Sequence, residues 1–474
     1  MTTPRQPVRS TPPASPLRVL VYGLGRSGTA VVKSLAATGH RAHFFEQRES
    51  GRDVDEALTA GAVRVTSLDD AGVAADYDLC IAAPGVPIDH PDLELVRRAG
   101  VDVIGEVEWV WRTVPGRYLG VTGTAGKGTV TSWLTAALTE AGVDARAGGN
   151  IDPALVAVAR EGATHVVELS SFQLERCPTF APEVAVTLNL GEDHLDRHRT
   201  VAAYHAAKKN LLHNLGPEHT LVSNADDPLL ESWARATPAA VLRFSLSPDG
   251  HDAPPDAWYD ARSRALMLHG ERLLTRDELR VHGDHHVANA LAVALAATAA
   301  GVGPDPLRRA LRAFEGLPGR YAVAARVGDI TFIEDSIATR PLAVAAALTS
   351  SQRPLVWLAG GRSKGVDPEP LARLVAEKVD LLVTYGESGP DLARAFEHIV
   401  PVERCTQTDG RAALEHAVAT AMDYLHARHD GRGTVLLAPL AASFDQFRDY
   451  AHRASEFRAV VGGALARTQA LEAG

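Results

Sequence analysis

The stretch VTGTAGKGTVT (121–131) follows the apolar RYLG (117–120) and runs into SWLTAALTEAG (132–142). An apolar run, a glycine-rich break and a long glycine-free segment predict a strand, a loop and a helix. That arrangement gathers backbone N–H groups and the positive end of a helix dipole at one point, which suits a bound phosphate. Lys127 adds a point charge there. The pattern is not a standard phosphate-loop signature, because the first glycine of that signature falls on Val121 and Gly128 stands where a Ser or Thr follows the lysine. Thr129 and Thr131 are the nearby hydroxyls. The plain alternative is a tight glycine turn between strand and helix.

The basic residues sharpen this reading. Of 48 Lys and Arg only six are lysine: Lys33, Lys127, Lys208, Lys209, Lys364 and Lys378. In a chain that writes arginine wherever either would serve, a retained lysine marks a place a guanidinium cannot fill, such as a compact phosphate contact or a nucleophilic amine. A nucleoside triphosphate at the loop requires Mg²⁺, and its ligands are expected at the carboxyl ends of neighbouring strands. THVVELS (164–170) ends an apolar run at Glu168, and PEVAVTLNL (182–190) leads to Glu192, Asp193 and His194. A carboxylate directly after an apolar run is costly unless paired or metal-bound. A helix cap or salt bridge for Glu168, and a structural hydrogen bond for His194, are the alternatives.

Working outward, LRVLVYGLGRSGTAVVKSLAATGH (17–40) reads as strand, glycine turn and helix, with RAHFFEQ (41–47) a second strand ending at Glu46. Gly23, Gly25 and Gly28 give a G-x-G-x-x-G spacing, compatible with a nucleotide or with close strand–helix packing. DLCIAAPGV (78–86) adds a strand and turn. After the central unit, whose later strands are TLVSNADD (220–227), VLRFSL (241–246) and ALMLHG (265–270), HHVANALAVALAATAAG (285–301) is a helix and LPGR (317–320) a break. A third unit follows, with strands in ITFIEDS (330–336), PLVWLAGG (354–361), DLLVTYG (380–386) and GTVLLAPLAAS (433–443). The fold class is α/β in three domains, each with a mostly parallel sheet. The expected division is a disordered tail over 1–16, rich in Pro, Ser and Thr, then domains over 17–113, 114–316 and 317–474.

The bulk properties exclude several classes. With 474 residues, 46% hydrophobic and 22% charged, the chain is a soluble globular type with more than one core. The net charge of −10, spread without runs, argues against nucleic acid as a partner. No secretory signal is evident, and the apolar ALAVALAATAAGVG (290–303) is shorter than the roughly 20 residues that cross a bilayer. A cytoplasmic, non-membrane protein is expected. Cys80, Cys177 and Cys405 are three and far apart, fitting buried thiols better than a disulfide or zinc framework.

Taken in chain order, GTAGKGT (123–129), GGNI (148–151), ELSSFQLE (168–175), EDHLDRH (192–198), YHAAK (204–208), NADD (224–227), GDHHVANALA (283–292), LPGR, EDSIAT (334–339), LAGGRSKG (358–365) and LAASFDQF (440–447) resemble the Mur ligases. ELSSFQLE with SFDQF is most similar to the D-glutamate-adding branch. The resemblance runs from about residue 17 to the end. It implies an N-terminal Rossmann-like domain for a UDP-sugar, a central P-loop-type ATPase and a C-terminal Rossmann-like domain that closes over the site. The implied reaction passes the ATP γ-phosphoryl to the carboxylate of a UDP-N-acetylmuramoyl-L-alanine substrate, and the D-glutamate amine attacks the resulting acyl phosphate. The family acts as a peptidoglycan precursor ligase, and a monomer is expected.

By resemblance, Lys127 contacts phosphate with Gly123, Thr124, Ala125, Gly126, Gly128 and Thr129. Glu168 holds the first Mg²⁺ and His194 helps to hold the second. Lys208 matches the lysine that reacts with CO₂ to give a carbamate, an anion beside the metal. Asn289, Arg320 and Asp335 serve the base and ribose of ATP. Ser27, Glu46, Arg48 and Gly85 lie by UDP, and Asn150, Ser170 and Gln173 by the muramoyl part. Thr339, Lys364, Ser443 and the backbone near Tyr450 hold D-glutamate. The chain departs from the family at Ala125 (usually Asn), Gly128 (Ser or Thr), His286 (Asn), Gly319 (His), Ile337 (Lys) and Arg362 (acidic). Thr129 or a water is left to replace the hydroxyl absent at Gly128. Two other readings stand beside this one: another member of the superfamily, including a folylpolyglutamate synthase as Gly128 suggests, and a nucleotide- or UDP-sugar-binding protein without catalysis.

Overall fold

The computed structural model describes residues 15–472 apart from 69–73, 252–253, 318, 364 and 366. All but the last two residues of the expected tail, Pro318 of LPGR, and Lys364 thus lie outside the described residues. Contacts divide the chain into two compact units, one of residues 1–276 with 288–312 and one of 277–287 with 313–474. Three sheets are present among the described residues.

The first sheet contains β1 (Arg18–Tyr22), β2 (Arg41–Phe45), β3 (Val63–Val65), β4 (Leu79–Ala82) and β5 (Val103–Ile104) in the order β3-β2-β1-β4-β5. All four pairings are parallel. Parallel neighbours need crossover helices that cover both faces, which is why the central strand is apolar after Arg18, with Val19, Leu20 and Val21 fully buried. Between β1 and the helix Gly25–Ala37, Gly23 has φ of 81°, and a Cβ on Gly28 would fall 2.2 Å from the Gly23 carbonyl oxygen. The glycine spacing therefore answers to close strand–helix packing.

The second sheet is built from β6 (Arg117–Thr122), β7 (Ala145–Gly149), β8 (Thr164–Glu168), β9 (Val184–Thr187), β10 (Thr220–Asn224), β11 (Ala240–Ser245), β12 (Ala257–Asp260), β13 (Ala265–Leu268) and β14 (Glu271–Thr275). Their order is β14-β13-β12-β11-β10-β9-β6-β8-β7, parallel from β7 to β12 and antiparallel at β12/β13 and β13/β14. After β6 the chain builds β7 and β8 on one side, then crosses to β9 on the other. The carboxyl end of β6 is thus a topological switch point, where open α/β sheets form a crevice. The first two sheets share one apolar core, in which Val31 and Phe44 belong to the same cluster as Val167 and Leu221.

The second unit holds β15 (Ala322–Val327), β16 (Asp329–Glu334), β17 (Leu355–Gly360), β18 (Leu381–Tyr385), β19 (Val402–Arg404) and β20 (Arg432–Leu437), ordered β15-β16-β20-β17-β18-β19. Only the β15/β16 hairpin is antiparallel. The fully buried Arg453 ties its strand ends, donating to the carbonyls of Ser336, Gly360 and Ala441. Cys80 and Cys177 are buried thiols as expected, whereas Cys405 is only half-buried, following the short edge strand β19. Among the described residues no helix is long and apolar enough to cross a membrane.

The contact at Gly28 predicts that Gly28→Ala costs about 3 kcal/mol, because backbone meets the added methyl. Gly39→Ala, with φ of 79° but open space around it, should cost only about 1 kcal/mol. Denaturant unfolding of the two variants checks the difference; equal losses would show that the backbone yields at Gly28.

Candidate functional site

The carboxyl ends of β6, β8 and β9 carry the residues singled out in the sequence. Val121 is in register with Glu168 on β8, and Thr122 with Thr187 on β9. The loop leaving β6 reaches Gly126, whose left-handed φ of 84° turns the chain into the helix Lys127–Glu140. A side chain there would be doubly excluded, since its Cβ would lie 2.7 Å from Asn289 Oδ1. Gly128 and Thr129 are buried in the first turn, and Thr131 Oγ1 is buried without a partner among the described residues.

The loop is pinned from β9. Ala125 N–H donates to Asn189 Oδ1 at 2.8 Å, and Asn189 Nδ2 donates to the Ala125 carbonyl at 3.1 Å. Thr124 Oγ1 accepts from Gly191 N–H at 2.9 Å and from the Tyr204 hydroxyl at 3.3 Å. Lys127 Nζ folds back onto the carbonyls of Gly123 (2.9 Å) and Thr124 (3.0 Å). The same Gly123 oxygen accepts from Lys208 Nζ at 2.8 Å. Lys208 comes from the helix Val201–Lys209, is only 1% exposed, and sits 4.6 Å from the Tyr204 ring centre. Burial, reinforced by the charge of Lys127, holds its amine well below the usual lysine range, against the opposing pull of Asp193 and Glu168.

Glu168 ends β8 and is 3% exposed. Its Oε1 accepts from Asn150 Nδ2 at 2.8 Å, while Oε2 is buried with no partner among the described residues. His194 follows β9 in a left-handed conformation (φ 53°, ψ 36°), with its Nε2 3.5 Å from Asp193 Oδ2 and its ring against Phe172 at 4.7 Å. Among the described residues no three His, Cys, Asp or Glu side chains converge as a metal cage. The orphaned carboxylate oxygen of Glu168 is the kind of group a cation would satisfy.

The glycine turn after β1 is braced by side chains. Leu24 N–H donates to Glu46 Oε2 at 3.0 Å, and Arg48 N–H and Nε donate to Glu46 Oε1 at 3.2 and 3.1 Å. Burial alone would raise the Glu46 carboxyl, but these donors bring it below its ordinary value. Ser27 Oγ is buried with no partner among the described residues, and the Gly85 carbonyl accepts from Arg197 at 3.2 Å. Ser170 and Gln173 are engaged with each other, forming the capping box of the short helix Ser171–Leu174. Asn289 stands by the loop. Arg320, Asp335, Thr339, Ser443 and Tyr450 belong to the second unit. There Asp335 is pushed up to about 7 by burial and by neighbouring Glu334. Ser443 is buried, its carbonyl accepting from Gln446 and Phe447 N–H, and the Tyr450 carbonyl accepts from Ser336 Oγ at 2.9 Å.

Asn189, Thr124 and Tyr204 shape the loop, yet the sequence reading gave Thr124 only a phosphate contact and passed over the other two. The signal available was Asn189 directly after an apolar strand, the same signal that marked Glu168.

Comparison with known proteins accords with this geometry. The Mur ligase MurD-like N-terminal domain matches residues 17–105, the Mur ligase middle domain residues 121–297, and the Mur ligase glutamate ligase domain residues 319–439. A UDP-N-acetylmuramoylalanine–D-glutamate ligase of Thermus thermophilus is 42% identical over 442 residues, 93% of this chain and 96% of the relative. Its counterpart in Deinococcus radiodurans is 40% identical, over 94% of this chain and 92% of the relative. A pseudomurein peptide ligase type C from Methanothermus fervidus shares the fold, with TM-score 0.60 at 17% identity, covering 94% of this chain and all of that one. The chain belongs to the Mur ligase family, with a MurD-like N-terminal domain.

Proposed function

We propose that this chain is an ATP-dependent ligase that joins D-glutamate to UDP-N-acetylmuramoyl-L-alanine in peptidoglycan precursor synthesis, acting as a monomer in the cytoplasm. The observation that carries the reading is the meeting of a glycine loop at a helix N-terminus with a buried amine held below its ordinary pKa, beside a buried carboxylate with one oxygen unpartnered among the described residues. The relatives' name supports the substrates. Residues 17–113 take the UDP-sugar, 114–316 ATP, and 317–474 the amino acid.

The loop Gly123–Thr129 cradles the phosphates, and the Lys127 ammonium exchanges the Gly123 and Thr124 carbonyls for phosphate oxygens. Glu168, through its unpartnered Oε2, and His194 are the side chains that fit Mg²⁺, with Thr129 a further candidate. Mg²⁺ supplies neutralisation of the phosphate charge, so that the terminal phosphoryl can approach a carboxylate. The Lys208 amine, its proton loosened by burial and by Lys127, attacks CO₂ in its unprotonated form. A C–N bond forms, the nitrogen gives up a proton to solvent, and the resulting carbamate sets an anion beside Lys127. Asn289, Arg320 and Asp335 hold the nucleoside. Ser27, Glu46, Arg48 and Gly85 hold UDP, and Asn150, Ser170 and Gln173 face the muramoyl group. Thr339, Lys364, Ser443 and the Tyr450 backbone orient D-glutamate, whose amine displaces phosphate from the acyl phosphate.

ADP release should occur with UDP-N-acetylmuramoyl-L-alanine and D-glutamate, and not with L-alanine, a diamino acid or L-glutamate in its place. Release only with one of the others assigns a different ligase of the superfamily, and nucleotide binding without any release assigns a non-catalytic protein. Lys208→Ala should lower kcat by about 10²–10³-fold, the scale for a lost charged transition-state contact, with partial rescue by formate or acetate; full activity without rescue removes the carbamate.

Lys208→Met separates the amine's charge from its chemistry. A folded-state pKa below the ordinary 10.5 means that the unfolded chain binds the extra proton, so the parent's stability rises with pH up to about that value. In CO₂-free buffer the variant should melt above the parent at pH 7, and the gap should close as pH approaches 10.5. A gap independent of pH would show the folded amine to be charged.

A further inference from the structure

The turn that follows β9 is held in an unusual backbone. His194 and Arg199, at the two ends of the helical turn Leu195–His198, both have positive φ (53° and 66°). For residues other than glycine such conformations persist only where surroundings impose them. Two contacts to the helix Ser171–Leu174 and its cap impose part of this: His198 Nε2 lies 2.9 Å from Ser171 Oγ and its Nδ1 3.5 Å from Glu175 Oε1. Further contacts come from Arg197 to the segment after β4 and to Glu175. Arg197 donates from Nη1 to the Gly85 carbonyl at 3.2 Å, and from Nη2 to the Val86 carbonyl at 2.8 Å and Glu175 Oε2 at 3.2 Å. Its guanidinium covers the Phe172 ring at 5.0 Å, the same ring that packs on His194. The buried Arg176 also donates to the Val86 carbonyl, at 2.6 Å, and Arg199 pairs with Asp89 at 3.1 Å. Val86 in turn lies against the glycine turn, 3.1 Å from where a Cβ on Gly23 would stand.

We propose that Arg197 is a positioning residue that couples the loop 85–89 to the turn bearing His194, so that UDP-sugar bound at the loop and cation bound beside His194 strengthen one another. What the two places bind rests on the ligase reading above; the mechanical link rests on the fork of Arg197. A planar guanidinium can hold two adjacent carbonyls and a carboxylate at once, which an ammonium cannot do with the same geometry. The pair Arg199–Asp89 is solvent-exposed and adds little. Coupling is reciprocal, so each ligand raises affinity for the other by the same factor.

The test uses the full chain and calorimetric titration of UDP-N-acetylmuramoyl-L-alanine with and without Mg²⁺, together with ADP-release kinetics. In the parent, Mg²⁺ should tighten sugar binding by about tenfold, within the usual range for linked sites. Arg197→Ala should abolish that enhancement and raise the sugar KM and the Mg²⁺ requirement, while the D-glutamate KM stays within about twofold. Arg197→Lys should fall between the two. Unchanged coupling in Arg197→Ala overturns the proposal, as does a uniform loss across all constants that follows a lowered melting temperature in both variants. If the parent binds the sugar with Mg²⁺-dependent affinity but makes no ADP, the ligase reading fails and the coupling stands.

Discussion

Two lysine amines converge on one carbonyl oxygen, that of Gly123. The contact joins the loop after β6, the first residue of the helix it enters, and a helix from beyond β9, so the crevice is closed at its base. It also sets a charge constraint. Two ammonium ions on one oxygen, one of them buried, repel across a medium that screens them poorly. The structure relieves this by depressing the more buried amine, with burial the larger cause and Lys127 the second. An amine without its proton is the form that has chemistry available to it, and burial together with a neighbouring like charge shifts Lys208 toward that form.

Arginine does different work in this chain. Arg197 and Arg453 each spend their guanidinium on several backbone carbonyls: Gly85 and Val86 for the first, and the strand ends at Ser336, Gly360 and Ala441 for the second. These forks stitch loops to one another and to strand ends. The contrast follows from chemistry: delocalised, permanently charged groups serve as multi-dentate fasteners, while at the Gly123 carbonyl two compact amines stand instead.

Much of this could be read before any coordinates. The apolar runs that became β1, β6, β8, β9, β17 and β18 lie in sheet interiors, where burial on both faces writes a continuous signal. The strand β7, Ala-Arg-Ala-Gly-Gly, gave none, because its pairing with β8 rather than its side chains makes it a strand. Glu168 and Lys208 stood out for being expensive or rare. What surrounds them did not, since the Gly123 carbonyl and the Asn150 amide arrive through tertiary folding. Ser170 and Gln173 show the opposite limit: the capping box is local and visible in SSFQ, yet the pair was read only as facing a ligand.

The side chain of Asn289 stands over Gly126, from the helix Asp284–Ala299. On the same unit Trp133 Nε1 donates to the Ala310 carbonyl and Arg309 pairs with Glu140, so the helix after the loop is clad by a segment made far later. During synthesis the first sheet has its strands in hand early, whereas the nest stays without its cover until the ribosome has passed residue 310. A nascent chain stalled short of that point would carry every residue of the loop and its Asn189 and Tyr204 contacts, and lack the cladding of the helix that follows.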